Sequence, residues 1–202
     1  MIAPIAELEK CLGRLPGFGR RSASRAAFAL VREPGRLLEP LLDALKAAKG
    51  AVRCCSKCGA FTAADHDPCD FCTDLTRDGR ILCIVEEPTD IVSIESSGAF
   101  HGRYHALGGK LAPARHMGPE KLRLAGLKER VATEGIEEVL LAVSTDMDGD
   151  ATAGYVAELL RGTGVKITRL AFGLPTDSGI AYSDPLTLKR AINGRFVHEF
   201  MV

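Results

Sequence analysis

The sequence predicts an α/β protein built from several modules, and three observations support this prediction. Amphipathic helical stretches open the chain, four cysteines crowd into residues 55–72, and continuous apolar runs alternate with helical segments after residue 80. Apolar strands that alternate with helices in this way are typical of a mainly parallel sheet. A chain of 202 residues is long enough for one sizeable core with small modules appended to it.

Four modules are expected along the chain. Residues 1–53 are rich in leucine, alanine and arginine and form a helical module, whereas residues 54–76 are too short and too polar to form a core without a metal. Residues 77–172 hold the alternation of strands and helices. Residues 173–202 supply a C-terminal helix and a short tail, and the apolar alternation in residues 196–200 indicates a strand, a subunit contact or a disordered end.

The charge is balanced overall but unevenly distributed. The chain has 26 Lys and Arg residues against 26 Asp and Glu, which argues against a highly basic nucleic-acid coat protein. Residues 1–53, however, carry a net charge of +5, residues 54–75 carry −3, and the remainder carries −2. A surface that meets polyanions is therefore expected in the first quarter of the chain, and the acidic remainder would face a basic partner.

The sequence predicts a cytoplasmic protein with no membrane partner. No apolar run approaches the roughly 18 residues that a transmembrane helix needs, and the first residues lack the pattern of a secretory signal. The seven cysteines are accordingly expected to stay reduced rather than to form disulfides.

Two helices are predicted in the N-terminal module. Residues 20–32 place small apolar side chains on one side and end before Pro34 and Gly35. Residues 37–48 repeat apolar residues at spacings of three and four, and this helix is expected to end near Gly50.

A glycine-rich turn precedes the first of these helices. Residues 15–23 contain two glycines that allow positive φ and close approach of another backbone, and Leu15 and Phe18 are expected to act as apolar anchors. The turn leads into a helix N-terminus, where N–H groups and the helix dipole favour a phosphate. This is the pattern of a helix-hairpin-helix that binds the DNA backbone without reading bases, and an ordinary turn with solvated arginines is the alternative. The candidate DNA-binding residues are Gly17, Gly19, Arg20, Arg21 and Arg25.

Two Cys-x-x-Cys pairs, separated by ten residues, predict a metal site. The two-residue spacing lets both thiolates of a pair reach one tetrahedral ion, and four thiolates suit a structural Zn²⁺ with no open coordination position. Buried free thiols, a redox pair or an iron–sulfur cluster are the alternatives. Cys54 and His66 are less well spaced as ligands, Gly59 suits the tight turn of the knuckle, and Cys11 and Cys83 are expected to be buried apolar residues. The predicted zinc ligands are Cys55, Cys58, Cys69 and Cys72.

The α/β domain is expected to contain two buried strands, a third strand and three helices, followed by a C-terminal helix. We expect Asp150 to cap the helix after the second strand, and Ser183 to cap the C-terminal helix, which ends at Gly194. The predicted strands are residues 81–85, 139–143 and 166–172, and the predicted helices are residues 89–97, 121–133 and 150–161.

Acidic residues directly follow the first two strands. Glu86 comes after the first strand, and Asp146, Asp148 and Asp150 come after the second, at the strand ends where parallel α/β folds place their sites. Carboxylates from both strands could converge on Mg²⁺, which takes oxygen ligands. The alternatives are that acids after either strand cap the following helices, or that the cluster docks a partner protein.

The order of these features resembles the RecR family of bacterial recombination mediators over essentially the whole chain. A strand that ends in Glu86 and a later strand that ends in an Asp-x-Asp cluster are similar to the Toprim domain of topoisomerases and primases, whose acids hold Mg²⁺ for phosphoryl transfer. The sequence departs from the family at Asp148-Gly149-Asp150, where Glu-Gly-Glu is common. The matching segments are residues 15–23, the four predicted zinc ligands, and residues 83–86, 150–155, 166–175 and 187–195.

The resemblance implies a DNA-repair and recombination protein that is not an enzyme. RecR-like proteins form ring-shaped tetramers that can encircle DNA, and together with RecO and RecF they help load RecA onto single strands coated by single-strand-binding protein. DNA binding, to single and double strands without sequence preference, then falls on Arg21 and Arg25, and the Toprim-like domain docks RecO or RecF. The N-terminal hairpins and the C-terminal tail would close the subunit contacts, and the protein would associate with the nucleoid.

The residues leave two other functions open. One is a Mg²⁺-dependent Toprim-type nuclease or nicking enzyme that uses Glu86 and the three aspartates, and cleavage of supercoiled plasmid would indicate it. The other is a zinc-stapled protein–protein adaptor, which would give no gel shift with DNA even at low salt.

Overall fold

The computed structural model describes residues 2–171, 180 and 183–194. The chain divides into a first unit of residues 1–53 and 62–66 and a second unit of residues 54–61 and 67–202. Among the described residues, no helix combines the length and the apolar character that are needed to cross a bilayer.

The first unit is helical, as the sequence predicts. The helix expected over residues 20–32 has those bounds, and its buried face consists of Ala23, Ala27 and Leu30. Ser24 Oγ donates a hydrogen bond of 2.8 Å to Glu9 Oε1 and so joins this helix to the preceding one. The elements in chain order are α1 (Ala3–Leu12), α2 (Arg20–Arg32), a π-helical turn (Pro34–Leu38) and α3 (Glu39–Ala51).

A four-stranded parallel sheet forms the centre of the second unit, and the α/β fold class is thereby confirmed. Its strands lie in the order β4 (Gly102–Ala106), β3 (Asp78–Val85), β5 (Glu138–Ala142) and β6 (Lys166–Arg169), and helices connect the successive parallel strands. A separate two-stranded sheet pairs β1 (Val52–Cys54) with β2 (Phe61–Ala63). The elements are β1 (Val52–Cys54), β2 (Phe61–Ala63), α4 (Asp70–Thr73), β3 (Asp78–Val85), α5 (Pro88–Ser96), β4 (Gly102–Ala106), α6 (Leu127–Thr133), β5 (Glu138–Ala142), α7 (Met147–Leu159), β6 (Lys166–Arg169) and α8 (Pro185–Asn193).

Successive side chains of β3 pack into two different apolar clusters, because they point to opposite faces of the sheet. Leu82 and Ile84 belong to one cluster, which includes side chains of α6 and α7. Cys83 and Val85 belong to the other, which includes cysteines of the predicted metal site. The central strand is therefore buried on both sides, as its continuous apolar sequence predicts.

The sheet contains one strand that the sequence analysis did not predict. Polar Arg103 and His105 interrupt the apolar pattern of β4, which pairs in parallel with β3. Both polar side chains nevertheless have partners in the fold, since Arg103 pairs with Glu134 at 2.8 Å and His105 contacts Arg130 at 3.1 Å. The strand was missed because its burial depends on these distant partners rather than on its own composition.

Two predicted boundaries in the α/β domain are wrong. The helix expected over residues 121–133 begins only at Leu127, because Gly126 adopts a left-handed φ of +74° just before it. Asp146, rather than Asp150, caps α7, and its side chain accepts a hydrogen bond from the Gly149 N–H. The helix therefore starts one turn earlier than predicted, and Asp150 lies in its first turn.

Three smaller expectations also need correction. The third predicted strand is shorter than expected and ends at Arg169. The last helix is capped by Asp184 rather than by Ser183, since the Asp184 carboxylate accepts from two backbone N–H groups of the first turn. Cys11 is exposed, whereas Cys83 is buried as predicted. The predictions for residues 172–175 and for the tail at 195–202 lie outside the described residues.

Candidate functional site

The turn between α1 and α2 presents a helix N-terminus at the surface of the first unit. Gly17 has a φ of +80°, a conformation that L side chains rarely adopt, so the turn favours glycine there. Gly19 has a φ of −80° and caps α2 without a side-chain hydrogen bond, so the expectation of positive φ holds for Gly17 alone. Leu15 and Phe18 are 49% and 36% exposed and are not buried anchors. The first N–H groups of α2 thus lack a side-chain cap and can bind an anion.

Exposed arginines surround this helix end. Arg20, Arg21 and Arg25 are all exposed within the first turns of α2. Across the described part of the chain, no carboxylate lies within ion-pair distance of their guanidinium groups. Lys10 and Arg14, which the sequence analysis did not single out, line one concave surface together with Arg20. Lys10 pairs with Glu7 at 3.6 Å, and Glu9 lines the same surface. Arg20, Arg21 and Arg25, which have no carboxylate partner among the described residues, are therefore the cations at this helix end that are best suited to phosphate groups.

Four thiols converge in the second unit at the positions that the Cys-x-x-Cys spacing indicates. The sulfur atoms of Cys55, Cys58, Cys69 and Cys72 all lie within 4.8 Å of one another. The Cys58–Cys69 and Cys55–Cys72 separations are 3.4 and 3.9 Å, close to the roughly 3.8 Å between thiolates on one tetrahedral Zn²⁺ with bonds of about 2.3 Å. The group could therefore hold a metal ion, and the exposed Cys54 is not part of it.

Three thiols of this cluster have pKa values far from that of a free cysteine. Burial raises the pKa of Cys69 to about 12, and the contact with Cys72, together with burial, raises the pKa of Cys58. Burial acts in the same direction on Cys55, but backbone N–H groups, first among them that of Cys69, outweigh it and lower the pKa of Cys55 to about 7. A divalent cation would stabilise all four groups as thiolates.

The cysteine cluster covers the edge strand β4. The Ala106 N–H donates to the Cys58 carbonyl at 2.7 Å, so the knuckle bonds directly to the strand. Arg130 Nη1 donates to the Tyr104 carbonyl at 3.0 Å, and the Phe71 ring packs edge-on against the Tyr104 ring at 5.5 Å. A metal bound at the cysteines would therefore also stabilise this edge of the sheet.

The pH dependence of stability tests the packing around His105, a buried residue of β4. Its Nε2 lies 2.6 Å from the Arg123 carbonyl and its Nδ1 lies 3.1 Å from Arg130, which can only donate, so we assign the neutral Nε2–H tautomer. Burial lowers the pKa of His105 to about 4. An unfolded chain would protonate this imidazole near pH 6.5, so the free energy of unfolding should decrease as the pH falls from about 6.5 to about 4.

Nuclear magnetic resonance of the imidazole checks this expectation in the folded protein. The His105 ring should keep the signature of the neutral Nε2–H tautomer down to about pH 5. A titration midpoint near the ordinary value of about 6.5 would contradict the buried, arginine-bonded placement of this histidine.

Glu86, which follows β3, and Asp146, which follows β5, lie close together at the carboxyl end of the sheet. Glu86 Oε1 accepts hydrogen bonds from Ser144 N and Oγ, at 2.7 and 2.6 Å. Lys110 Nζ lies between the two strand ends, 3.8 Å from Glu86 Oε2, 2.9 Å from Ser144 Oγ and in hydrogen-bond contact with Asp146. The hydrogen bond from Lys110 and the Gly149 N–H lower the pKa of Asp146 to about 2.

The remaining predicted acids are also ion-paired. Asp148 pairs with Arg115 at 2.9 Å, and Asp150 pairs with Arg169 at 2.9 Å and with Arg190 at 3.2 Å. Every member of the predicted Mg²⁺ set is thus engaged by a cation of this chain. The described carboxylates also do not bring three ligand atoms as close together as the four thiols do. These residues therefore do not fit a Mg²⁺ site.

Two further acids that follow β3 cap a helix. Glu87 and Asp90 form a reciprocal capping box at the start of α5, in which each side chain accepts a backbone N–H. Together with the Asp146 cap of α7, this favours the capping interpretation for acids that follow both strands.

Lys110, Arg115 and Ser144 are site residues that the sequence analysis missed. Lys110 and Arg115 follow β4, the strand that was itself not predicted. The one available signal was the Gly108-Gly109 pair just before Lys110, whose φ angles of +78° and +143° mark an unusual backbone path.

Comparison with known proteins shows similarity over nearly the whole chain. Residues 5–49 match the family described as RecR, helix-hairpin-helix, and residues 80–171 match the Toprim domain. The Recombination protein RecR of Desulfatibacillum aliphaticivorans is 44% identical over 191 residues, which is 95% of each chain. The proteins of the same name from Bifidobacterium longum and Acidobacterium capsulatum are 41% and 44% identical. In both cases the match spans 95% of this chain, and it covers 94% and 96% of the respective relatives.

Proposed function

Since this chain belongs to the RecR family of recombination proteins, we propose that it acts in recombination and DNA repair as a DNA-binding clamp and not as an enzyme. The observation that supports DNA binding best is the contrast between two sets of cations. Arg20, Arg21 and Arg25 have no carboxylate partner among the described residues, whereas the cations at the acidic end of the sheet are all ion-paired. Phosphate contacts of this kind supply affinity without sequence preference, for single and double strands alike.

The four-cysteine group is proposed to hold one structural Zn²⁺ per chain. The sulfur separations match a tetrahedral ion, and four thiolates leave no coordination position for a reacting water. The metal would thus fix the knuckle on the edge of the sheet and take no part in chemistry.

The partners and the assembly are proposed on the family relationship. We propose a ring-shaped homotetramer that acts in the cytoplasm, close to the nucleoid, with RecO and RecF in loading RecA onto single-stranded DNA. In a ring, several modest hairpin sites act together and gain avidity. The modules would be residues 1–53 for DNA, 54–76 for zinc, 77–172 for partner docking, and 173–202 for subunit contacts together with the hairpins.

A Mg²⁺-dependent nuclease is disfavoured by the paired acids. Glu86 and Asp146 share Lys110, and Asp148 and Asp150 bind arginines, so metal binding would have to displace cations that the fold itself supplies. The protein is therefore expected to leave supercoiled plasmid intact in the presence of Mg²⁺.

The clamp is tested by comparing closed circular DNA with the same plasmid cut once. A ring should remain on the closed circle at a salt concentration that releases it from the linear form, because a ring can slide off free ends. Light scattering coupled to gel filtration would measure the mass of the protein and of the complex. Equal release from both forms would contradict the clamp, and the lack of any complex at low salt would favour the adaptor function.

A further inference from the structure

A loop that follows β4 crosses the acidic end of the sheet. On one side of Lys110, the Gly109 N–H donates to the Glu86 carbonyl at 2.8 Å, and on the other side, the Leu111 N–H donates to Thr152 Oγ1 at 2.9 Å. The backbone is therefore hydrogen-bonded to the end of β3 just before the lysine and to α7 just after it. Gly109 has a φ of +143°, so a residue with a side chain would be strained at the point where the loop makes its close approach.

The loop brings two cations into the acidic cluster. The Lys110 side chain is only 20% exposed, and its ammonium donates to Ser144 Oγ and Asp146 while lying 3.8 Å from Glu86 Oε2. Arg115, five residues further along the same loop, pairs with Asp148 at 2.9 Å. The loop thus neutralises carboxylates that follow two different strands.

We propose that Lys110 occupies the position that a divalent cation would take between Glu86 and Asp146, and that this internal ammonium closes the cluster to Mg²⁺. Removing the ammonium would open a divalent-cation site between the same carboxylates. The proposal goes beyond DNA binding and concerns a different surface, so it stands or fails independently of the hairpin.

The physical reason is charge competition at one position. A lysine tethered by bonded backbone on both sides stays at the cluster, whereas a free ion must be drawn from solution and partly dehydrated. Without the ammonium, Glu86 and Asp146 would repel each other and would favour a doubly charged ion that can bind both. Ser144 would add a neutral oxygen at the same place.

The test is the substitution Lys110→Met, which keeps much of the side-chain length and removes the charge. Binding of Mn²⁺, as a paramagnetic probe of a Mg²⁺ site, would be measured by electron paramagnetic resonance on the full-length, zinc-loaded protein. We expect Lys110→Met to bind one Mn²⁺ per chain at least about tenfold more tightly than wild type does. Adding Asp146→Asn to this variant should abolish that binding.

The matched control is Lys121→Met, since Lys121 donates to the His116 carbonyl and forms no ion pair within the described residues. This variant should bind Mn²⁺ no better than wild type does. The proposal is overturned if Lys110→Met gains no Mn²⁺, or if wild type already binds Mn²⁺ at a site that Asp146→Asn removes.

A second measurement covers the case in which Lys110→Met does not fold. In the wild-type protein, Mn²⁺ should leave the carboxyl resonance of Asp146 unbroadened, because Lys110 holds that carboxylate. Selective broadening of this resonance would show that the ion enters the native cluster and would refute the proposal.

Discussion

Replacing Arg21 and Arg25 with glutamate is expected to weaken DNA binding by about a hundredfold at low salt. Both side chains are exposed on the first turns of α2 and have no carboxylate partner among the described residues. The substitutions would remove two of the proposed phosphate contacts and place two negative charges beside the helix N-terminus, where an anion would bind. Fluorescence anisotropy with labelled single-stranded and duplex oligonucleotides would measure the loss.

The control for this experiment is the double substitution Lys46→Glu and Lys49→Glu. Both lysines lie on α3 of the same unit and are exposed, so the change in net charge is identical. This variant should keep most of the affinity if the hairpin holds the DNA. Unchanged affinity in a folded Arg21→Glu, Arg25→Glu protein would remove the basis for the proposed interface.

The substitution Cys58→Ser should abolish metal binding and strongly destabilise the second unit. Cys58 is one of the four proposed zinc ligands, and its carbonyl accepts the hydrogen bond from Ala106 on the edge strand. Structural Zn²⁺ contributes about 10 kcal/mol or more to the folding of isolated zinc-finger peptides, so a loss of several kcal/mol is expected here. Zinc content per chain and the thermal unfolding midpoint would measure both effects.

Cys54→Ser provides the matched control for the metal site. Cys54 is adjacent to the proposed ligand Cys55 but is exposed and lies outside the cluster. This variant should keep one Zn²⁺ per chain and the wild-type unfolding midpoint. Full zinc content and unchanged unfolding in Cys58→Ser would instead show that this thiol is not a ligand.

Features defined by short-range spacing were predictable from the sequence. The pairs Cys55/Cys58 and Cys69/Cys72 converge because a knuckle needs only a local turn at each pair. The bounds of α2 were likewise predictable, since its small residues repeat with helical spacing and Pro34 follows its end. The central strand β3 could be recognised because it is buried on both sides and therefore continuously apolar.

Features that depend on distant partners were not predictable in this way. β4 is buried although it contains Arg103 and His105, because Glu134 and Arg130 reach these side chains from a different element. Lys110 gave no signal of its own, since its role depends on two carboxylates that follow β3 and β5. The chain alone could not show whether the acids hold a metal or a lysine.

The ion pairs of the described residues explain how the uneven charge distribution relates to DNA binding. Among the described residues, many acids of the second unit pair with cations of the same unit, as Asp148 and Asp150 do with Arg115 and Arg169. The excess of positive charge in residues 1–53 includes arginines at the start of α2 that have no such compensation in the described residues. Net charge alone therefore understates the capacity of this protein to bind a polyanion.

The central claim is that phosphate contacts at the start of α2 hold the DNA, and the salt dependence of binding tests it most directly. The logarithm of the association constant would be measured against the logarithm of salt concentration for wild type and for Arg21→Glu, Arg25→Glu. Wild type should show a steep negative slope. In the variant, the magnitude of the slope should be lower by about one for each arginine that no longer contacts a phosphate. Parallel slopes of the same steepness for the two proteins would contradict the account.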